Sequence, residues 1–367
     1  MKGRIRFRQF FTIEVKTYQR ALFAAFAFVN LVLGVLAGFG RLGVSFPLSH
    51  AVVNHGAVMV GGFLGTLITL EKVIPLKKRA YLVVPVISGL SILPFIKGMF
   101  ITGTSLLVAA SIGFVIIYLV YLSRQRALFL YIMLGGAVCW LIGNILLLHG
   151  RFFPAAFPWW MGFLLLTIVG ERIELSKFLP VTDRTRGFLL GFLGLVVVGF
   201  IIPFHQYGSY IAAVGMIGVA VWLMRYDMVS VSLRKTGLTR FIGYALMCGY
   251  CALLLEGVFL LTLPNVAFSY DIIVHTFFLG FVFSMIFAHG PIILPGVLGL
   301  AVKPYHPFLY VPLVLLISSL LIRIVSGMGL LPYEFRTTSA WMTAAAMLFY
   351  FVTLITTLIN ARRKRAV

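Results

Sequence analysis

The stretch Gly62-Phe63-Leu64-Gly65-Thr66-Leu67-Ile68-Thr69-Leu70-Glu71 carries one ionisable side chain at the end of a run of apolar and small residues. The same Gly-Phe start, with an ionisable residue nine positions after the glycine, recurs at Gly162-Phe163 with Glu171 and at Gly280-Phe281 with His289. About 20 apolar residues cross the hydrocarbon core of a bilayer as a helix, and each copy sits in a run of that order. An ionisable group at membrane depth is costly, which makes Glu71, Glu171 and His289 candidate functional residues.

The rest of the chain is of the same kind. With 61% hydrophobic and 11% charged residues and a mean hydropathy of +1.07, the composition is that of an all-α polytopic membrane protein and excludes a soluble globule. Pro, Gly and charges divide it into twelve segments, at 21–43, 50–75, 80–97, 102–123, 127–149, 157–175, 186–204, 208–226, 239–263, 270–294, 307–328 and 338–360. The longest polar connections, at 176–186 and 227–238, leave no room for a separate soluble domain.

A formal charge of +21 would suit a nucleic-acid ligand if it formed one patch, but it alternates along the chain. With both termini cytoplasmic, 25 of the 30 basic residues fall on the inner side, leaving Arg41, Lys97, Arg151, Arg323 and Arg336 outside. That asymmetry is a topology signal and argues against nucleic acid. The basic first 20 residues resemble the start of a signal peptide, yet the following apolar run has no small-residue cleavage site and reads as segment one. Cys139, Cys248 and Cys251 are too few for a disulfide framework. Cys248-Gly-Tyr-Cys251 lacks the histidine of a haem-attachment motif and reads as core packing. Trp159 and Trp160 read as part of an interfacial aromatic belt.

Segment parity orders the histidines by depth. His50 and His55 open segment two and His275 opens segment ten, all towards the outer face, whereas Glu71, Glu171 and His289 fall towards the inner one. Measured from the Gly-Phe repeat at α-helical rise, His55 and His275 differ in depth by only about 3 Å, and by about 160° in phase at 100° per residue. Two imidazoles at one level suit a porphyrin iron with two axial ligands. A hydrogen-bonded structural pair and a protonatable transport residue are the other readings. Gly56, Gly61, Gly62, Gly65 and Thr66 make a small-residue face beside His55, suited to close approach by a helix or by a flat cofactor.

At the inner end, Glu71-Lys72, Glu171-Arg172 and Glu174 with Lys177 read as an interfacial ring of ion pairs. The functional alternative is a proton-entry or quinone-headgroup site made of Glu71, Glu171 and His289, with His289 titrating. His289 stands about 21 Å deeper than His275 at helical rise and cannot share its iron. Gly290-Pro291 is expected to loosen the helix there and free carbonyls for the imidazole. On the outer side, Arg323 is placed to bind a haem carboxylate or to pair with Glu256 or Asp271. His149, His205 and His306 read as solvated ends and turns.

Residues 62–71 and the segment from His275 to Gly299, with its Gly280-Phe-Val-Phe-Ser-Met-Ile-Phe-Ala-His-Gly-Pro291 core, together with the twelve-segment plan, resemble the NnrS-type nitric-oxide-response membrane proteins. Those are distant relatives of the haem-copper oxidase and nitric-oxide reductase catalytic subunit. The resemblance implies three four-helix arcs with pseudo-threefold symmetry: 21–126, 127–235 and 236–361, between the basic N-terminal segment 1–20 and the tail 362–367. It implies a b-type haem held by His55 (or His50) and His275. It also implies residence in a bacterial-type inner membrane, with a quinone or membrane electron donor and nitric oxide as partners. The pattern departs from the oxidases where copper is bound: residues 157–175 and 186–204 contain no histidine, and Ile273 and Phe277 flank His275. A binuclear copper centre is therefore not expected. A proton-coupled secondary transporter is the competing function, with Glu71, Glu171, Glu256 and His289 as carriers.

Overall fold

A computed structural model describes residues 17–45, 47–176, 179, 181–263 and 266–366, with the side chains of 17–19 and 363–366 left aside. Lys177 of the expected inner ring lies outside the described residues, as do Lys2, Arg4, Arg6, Arg8 and Lys16. Among those described, all regular structure is helical, and twelve helices are long and apolar enough to cross a membrane. They are α1 (Arg20–Arg41), α2 (His55–Leu76), α3 (Arg79–Ile96), α4 (Phe100–Arg124), α5 (Leu128–Gly150) and α6 (Phe153–Leu175). Then follow α7 (Asp183–Ile201), α8 (Phe204–Tyr226), α9 (Gly237–Thr262), α10 (Ser269–Leu298), α11 (Pro307–Gly327) and α12 (Glu334–Arg362). A chain with this run of apolar helices is a multi-pass membrane protein, because helices satisfy their own backbone polar groups in lipid.

The chain forms two compact units, Met1–Phe163 with Ile293–Ala301, and Leu164–Ile292 with Val302–Val367. In the first, α1 lies against the middle of α2, and α4 against α5. The small-residue face of α2 is filled by side chains: Leu107 stands over Gly61, Asn30 over Gly62, and Trp140 with Ser88 over Gly65. It is a helix-packing face. Trp140 also stacks on Phe163 at 5.0 Å between ring centroids, so the second Gly-Phe copy supplies a core aromatic. Trp160 belongs to the core as well: it is 3% exposed and donates to Asn144 Oδ1 at 3.0 Å. The indole N–H needs a polar partner, and Asn144 offers one inside the unit.

In the second unit, α7, α8 and α9 follow one another in contact, α11 lies along α12, and α9 packs on the middle of α10. Helix α10 does not loosen at Pro291 but runs on to Leu298. Proline has no N–H for the Phe287 carbonyl four residues back, and the Tyr350 hydroxyl takes that place, donating to Phe287 O and Ile286 O, each at 3.1 Å. The Tyr350 ring stacks flat on Phe287 at 3.9 Å. Tyr350→Phe should keep the stack and cost about 1–3 kcal/mol, the penalty for stranding a buried acceptor. Restoring the backbone donor with Pro291→Ala should remove most of that cost in a denaturant titration; an undiminished cost in that background would exclude this role for the hydroxyl.

Of the cysteines, only Cys139 is buried; Cys248 is half-buried and Cys251 exposed, and all three are free. The Cys-Gly-Tyr-Cys pair on α9 therefore does not pack in a core, since its face turns outward from the unit.

Candidate functional site

Helices α2 and α10 share a departure from α geometry. Residues Val58–Gly65 and Thr276–Val282 are π-helical, and these segments contain Gly62-Phe63 and Gly280-Phe281. The third copy, Gly162-Phe163, lies in unbroken α-helix. A π turn closes i→i+5 bonds, so each residue advances and rotates the chain less than in an α-helix. The depth expected between His275 and His289 assumed uniform α rise and shrinks across Thr276–Val282, whereas the two-residue difference between His55 and His275, measured from the repeat, lies before π segments that match in both helices.

His55 is the first residue of α2, after a turn at Asn54. Its Nδ1 donates to the Gly34 carbonyl of α1 at 2.8 Å, and α1 leaves room for the ring at Gly38, where a Cβ would stand 3.0 Å from Cε1. His50 is not in α2. It belongs to the short helix Ser49–Val53, is exposed, and lies against Gly98, whose φ of +74° suits a residue without a side chain. His275 ends the opening α turns of α10. Its Nδ1 donates to the Asp271 carbonyl at 2.8 Å, with Asp271 Oδ1 at 3.2 Å.

Asp271 gathers more than the histidine. Arg323 closes on it with two bonds, Nε to Oδ2 at 3.0 Å and Nη2 to Oδ1 at 2.8 Å. Arg336 adds Nη2 to Oδ2 at 3.1 Å, while its guanidinium lies 4.0 Å from the Phe268 ring centre. Arg323 thus takes Asp271, not Glu256, as its partner, and Arg336 is a member the sequence reading lacked. Two guanidiniums share one carboxylate here. Glu256 is fully buried, and neither of its oxygens has a hydrogen-bond partner.

In the second unit, His289 belongs to an assembly with Arg172 and Asp227. Arg172, in α6, takes its carboxylate partner from the end of α8 and not from its neighbour Glu171. It clamps Asp227, with Nε at 3.1 Å and Nη2 at 2.9 Å from Oδ2, and its Nη1 lies 3.0 Å from His289 Nε2. Tyr250 donates to the same Asp227 Oδ2 at 2.7 Å. A guanidinium only donates, so His289 Nε2 accepts, and its Nδ1–H donates to Met285 O at 2.8 Å. The imidazole is held as the neutral Nδ1–H tautomer with both nitrogens engaged; the carbonyl it takes is that of Met285, not the Phe287 carbonyl that Pro291 leaves without an N–H. Glu71 belongs to the other unit, where it pairs with Lys72 at 2.9 Å, and the Tyr121 hydroxyl donates to Lys72 O.

Asp227 and Tyr250 were missed because one closes α8 in a polar connection and the other looks like one more core aromatic. The available signal was scarcity: the chain has only nine acidic residues. His149, His205 and His306 are exposed, and His306 Nδ1 accepts the Phe308 N–H at the start of α11. No group of three or more metal-ligating side chains occurs among the described residues.

These features define a multi-pass helical membrane protein with a histidine at the head of each of two π-interrupted helices and two buried arginine–carboxylate assemblies. The chain belongs to the DUF8744 family, a domain of unknown function, whose model matches residues 20–359. Searches of curated proteins and of solved structures find no match.

Proposed function

We propose that this is a haem-binding, NnrS-like protein of a bacterial-type inner membrane, acting in electron transfer or nitric-oxide handling, in which His55 and His275 would hold a b-type haem, with no binuclear copper centre. Three four-helix arcs and cytoplasmic termini belong to this reading. The observation that carries it is the pair of Nδ1–carbonyl bonds, 2.8 Å at each histidine. A carbonyl can only accept, so each ring bears its proton on Nδ1 and presents Nε2 as the lone-pair nitrogen, the state in which protein imidazoles bind metal. The donor set also fits at the periphery: two guanidiniums on one carboxylate beside His275 leave a surplus positive charge, which a haem propionate complements. A bis-imidazole haem supplies a one-electron centre; Asp271 orients the His275 ring, and Gly38 and Gly34 seat that of His55.

The test is the spectrum of dithionite-reduced protein purified with haem available. Sharp α and β bands are expected in the wild type, and His55→Ala or His275→Ala should abolish them while His50→Ala leaves them. A colourless wild type, or bands unchanged in His275→Ala, overturns the reading.

The partnerless carboxyl of Glu256 supports a second reading, proton-coupled transport. It requires that proton uptake into proteoliposomes be lost in Glu256→Gln.

A further inference from the structure

A groove of about 710 Å³ runs between α9 and α11. One wall is a single stripe of α9, with Gly237, Arg240, Tyr244 and Cys248 spaced three and four residues apart; the other comes from α11 and the Tyr305 turn before it. From Gly237 to Cys248 the α9 wall is about 16 Å long at helical rise, close to the ~15 Å depth of one leaflet of a bilayer core. Tyr244 and Val314 on its two walls are 41% and 63% exposed, so the groove is open along its side, between two helices long and apolar enough to cross a membrane.

The groove is polar at one end and mostly apolar along the rest. At the polar end Arg240 lies over the Tyr244 ring, 5.7 Å from its centre, with Nη2 3.4 Å from the Tyr244 hydroxyl. Tyr305 and Tyr310 add two more hydroxyl-bearing rings. Among the described residues no carboxylate pairs with Arg240, and there is no Asp or Glu in 228–255 or 299–333, whereas Arg234, Lys235 and Lys303 stand in the adjoining connections. Beyond the tyrosines the lining is Leu313, Val314 and Ile317, with the single hydroxyl of Ser318.

We propose that this groove holds one anionic glycerophospholipid, its phosphate at Arg240 and the tyrosine hydroxyls and one acyl chain laid along α9 and α11. Guanidinium and phosphate match in charge and in hydrogen-bond geometry. Basic pockets between membrane helices favour anionic headgroups. A free phosphate would leave the apolar length unfilled, and a neutral quinone would leave Arg240 without a counter-charge. The assignment does not depend on the haem.

Native mass spectrometry of the full chain, incubated with equal amounts of phosphatidylglycerol and phosphatidylcholine, tests it. Wild type should retain one phosphatidylglycerol with a roughly fivefold preference, the factor for one cation near a headgroup. Arg240→Gln should erase the preference, while Val314→Trp, which fills the groove, should lose the bound lipid of either headgroup. Both positions are exposed, and unchanged circular dichroism checks that the variants fold. An unaltered lipid ratio in Arg240→Gln, undiminished lipid in Val314→Trp, or one-for-one displacement of the lipid by added ubiquinone overturns the proposal.

Discussion

Asp271→Ala is expected to destabilise the protein by at least about 3–5 kcal/mol, the cost of removing one partner from a buried ion pair. The carboxylate holds Arg323 at 2.8 Å and Arg336 at 3.1 Å, with side chains 9% and 7% exposed. Removing it strands two guanidiniums at once. Arg336 keeps its contact with the Phe268 ring, but a cation–π contact contributes only about 0.5–2 kcal/mol and does not substitute for the acid. Asp271→Asn keeps the shape and some of the acceptor capacity, so it should fall between wild type and Ala. Equilibrium unfolding in mixed micelles reads the difference. A loss below about 1 kcal/mol, the level of an exposed pair, would mean that solvent or lipid headgroups already neutralise the arginines. The same carboxylate lies 3.2 Å from His275 Nδ1, so in the haem-binding reading Asp271→Asn should also shift the midpoint potential, a readout that stability alone does not move.

The second large effect concerns Arg172 and Asp227. Asp227→Ala leaves the guanidinium buried and should cost about 3–5 kcal/mol, as should Arg172→Met for the opposite charge. The double variant Arg172→Met with Asp227→Leu should recover most of that loss, because two apolar side chains leave no unpaired charge behind. The recovery will be incomplete: Tyr250 loses its acceptor at 2.7 Å and His289 Nε2 its donor at 3.0 Å. A double-mutant cycle in nanodiscs measures the coupling directly, and strict additivity within about 0.5 kcal/mol would refute the pairing.

The twelve spans were legible because their signal is local: bilayer thickness sets a run length, and Pro, Gly and charges mark its ends. His55 and His275 were legible for the same reason, as rare ionisable groups inside such runs. Partnership was harder to read. Arg172 meets Asp227 across 55 residues of chain, and Tyr350 reaches Phe287 across 63; no periodicity links such positions. Adjacent opposite charges at Glu71-Lys72 do form a pair, but at Glu171-Arg172 the arginine is taken by Asp227 from another part of the chain. Pro291 signalled a break correctly in its chemistry, since the missing N–H is real, but the donor that compensates lies on another helix.

The π-helical stretches of α2 and α10 change what it means for the three Gly-Phe copies to correspond. In sequence comparison the copies align without a gap, each with its ionisable residue nine places on. In space, a π turn is an insertion absorbed inside the helix, so the gapless alignment hides an offset in two of the three copies. Residues that share a column in α2 and α10 carry the same offset, whereas beyond the repeat those of α6 do not share their rotation about the helix axis. Superposing α6 on α2 or α10 therefore needs a register correction at Val58–Gly65 or Thr276–Val282 before a side chain of one is equated with a side chain of the other.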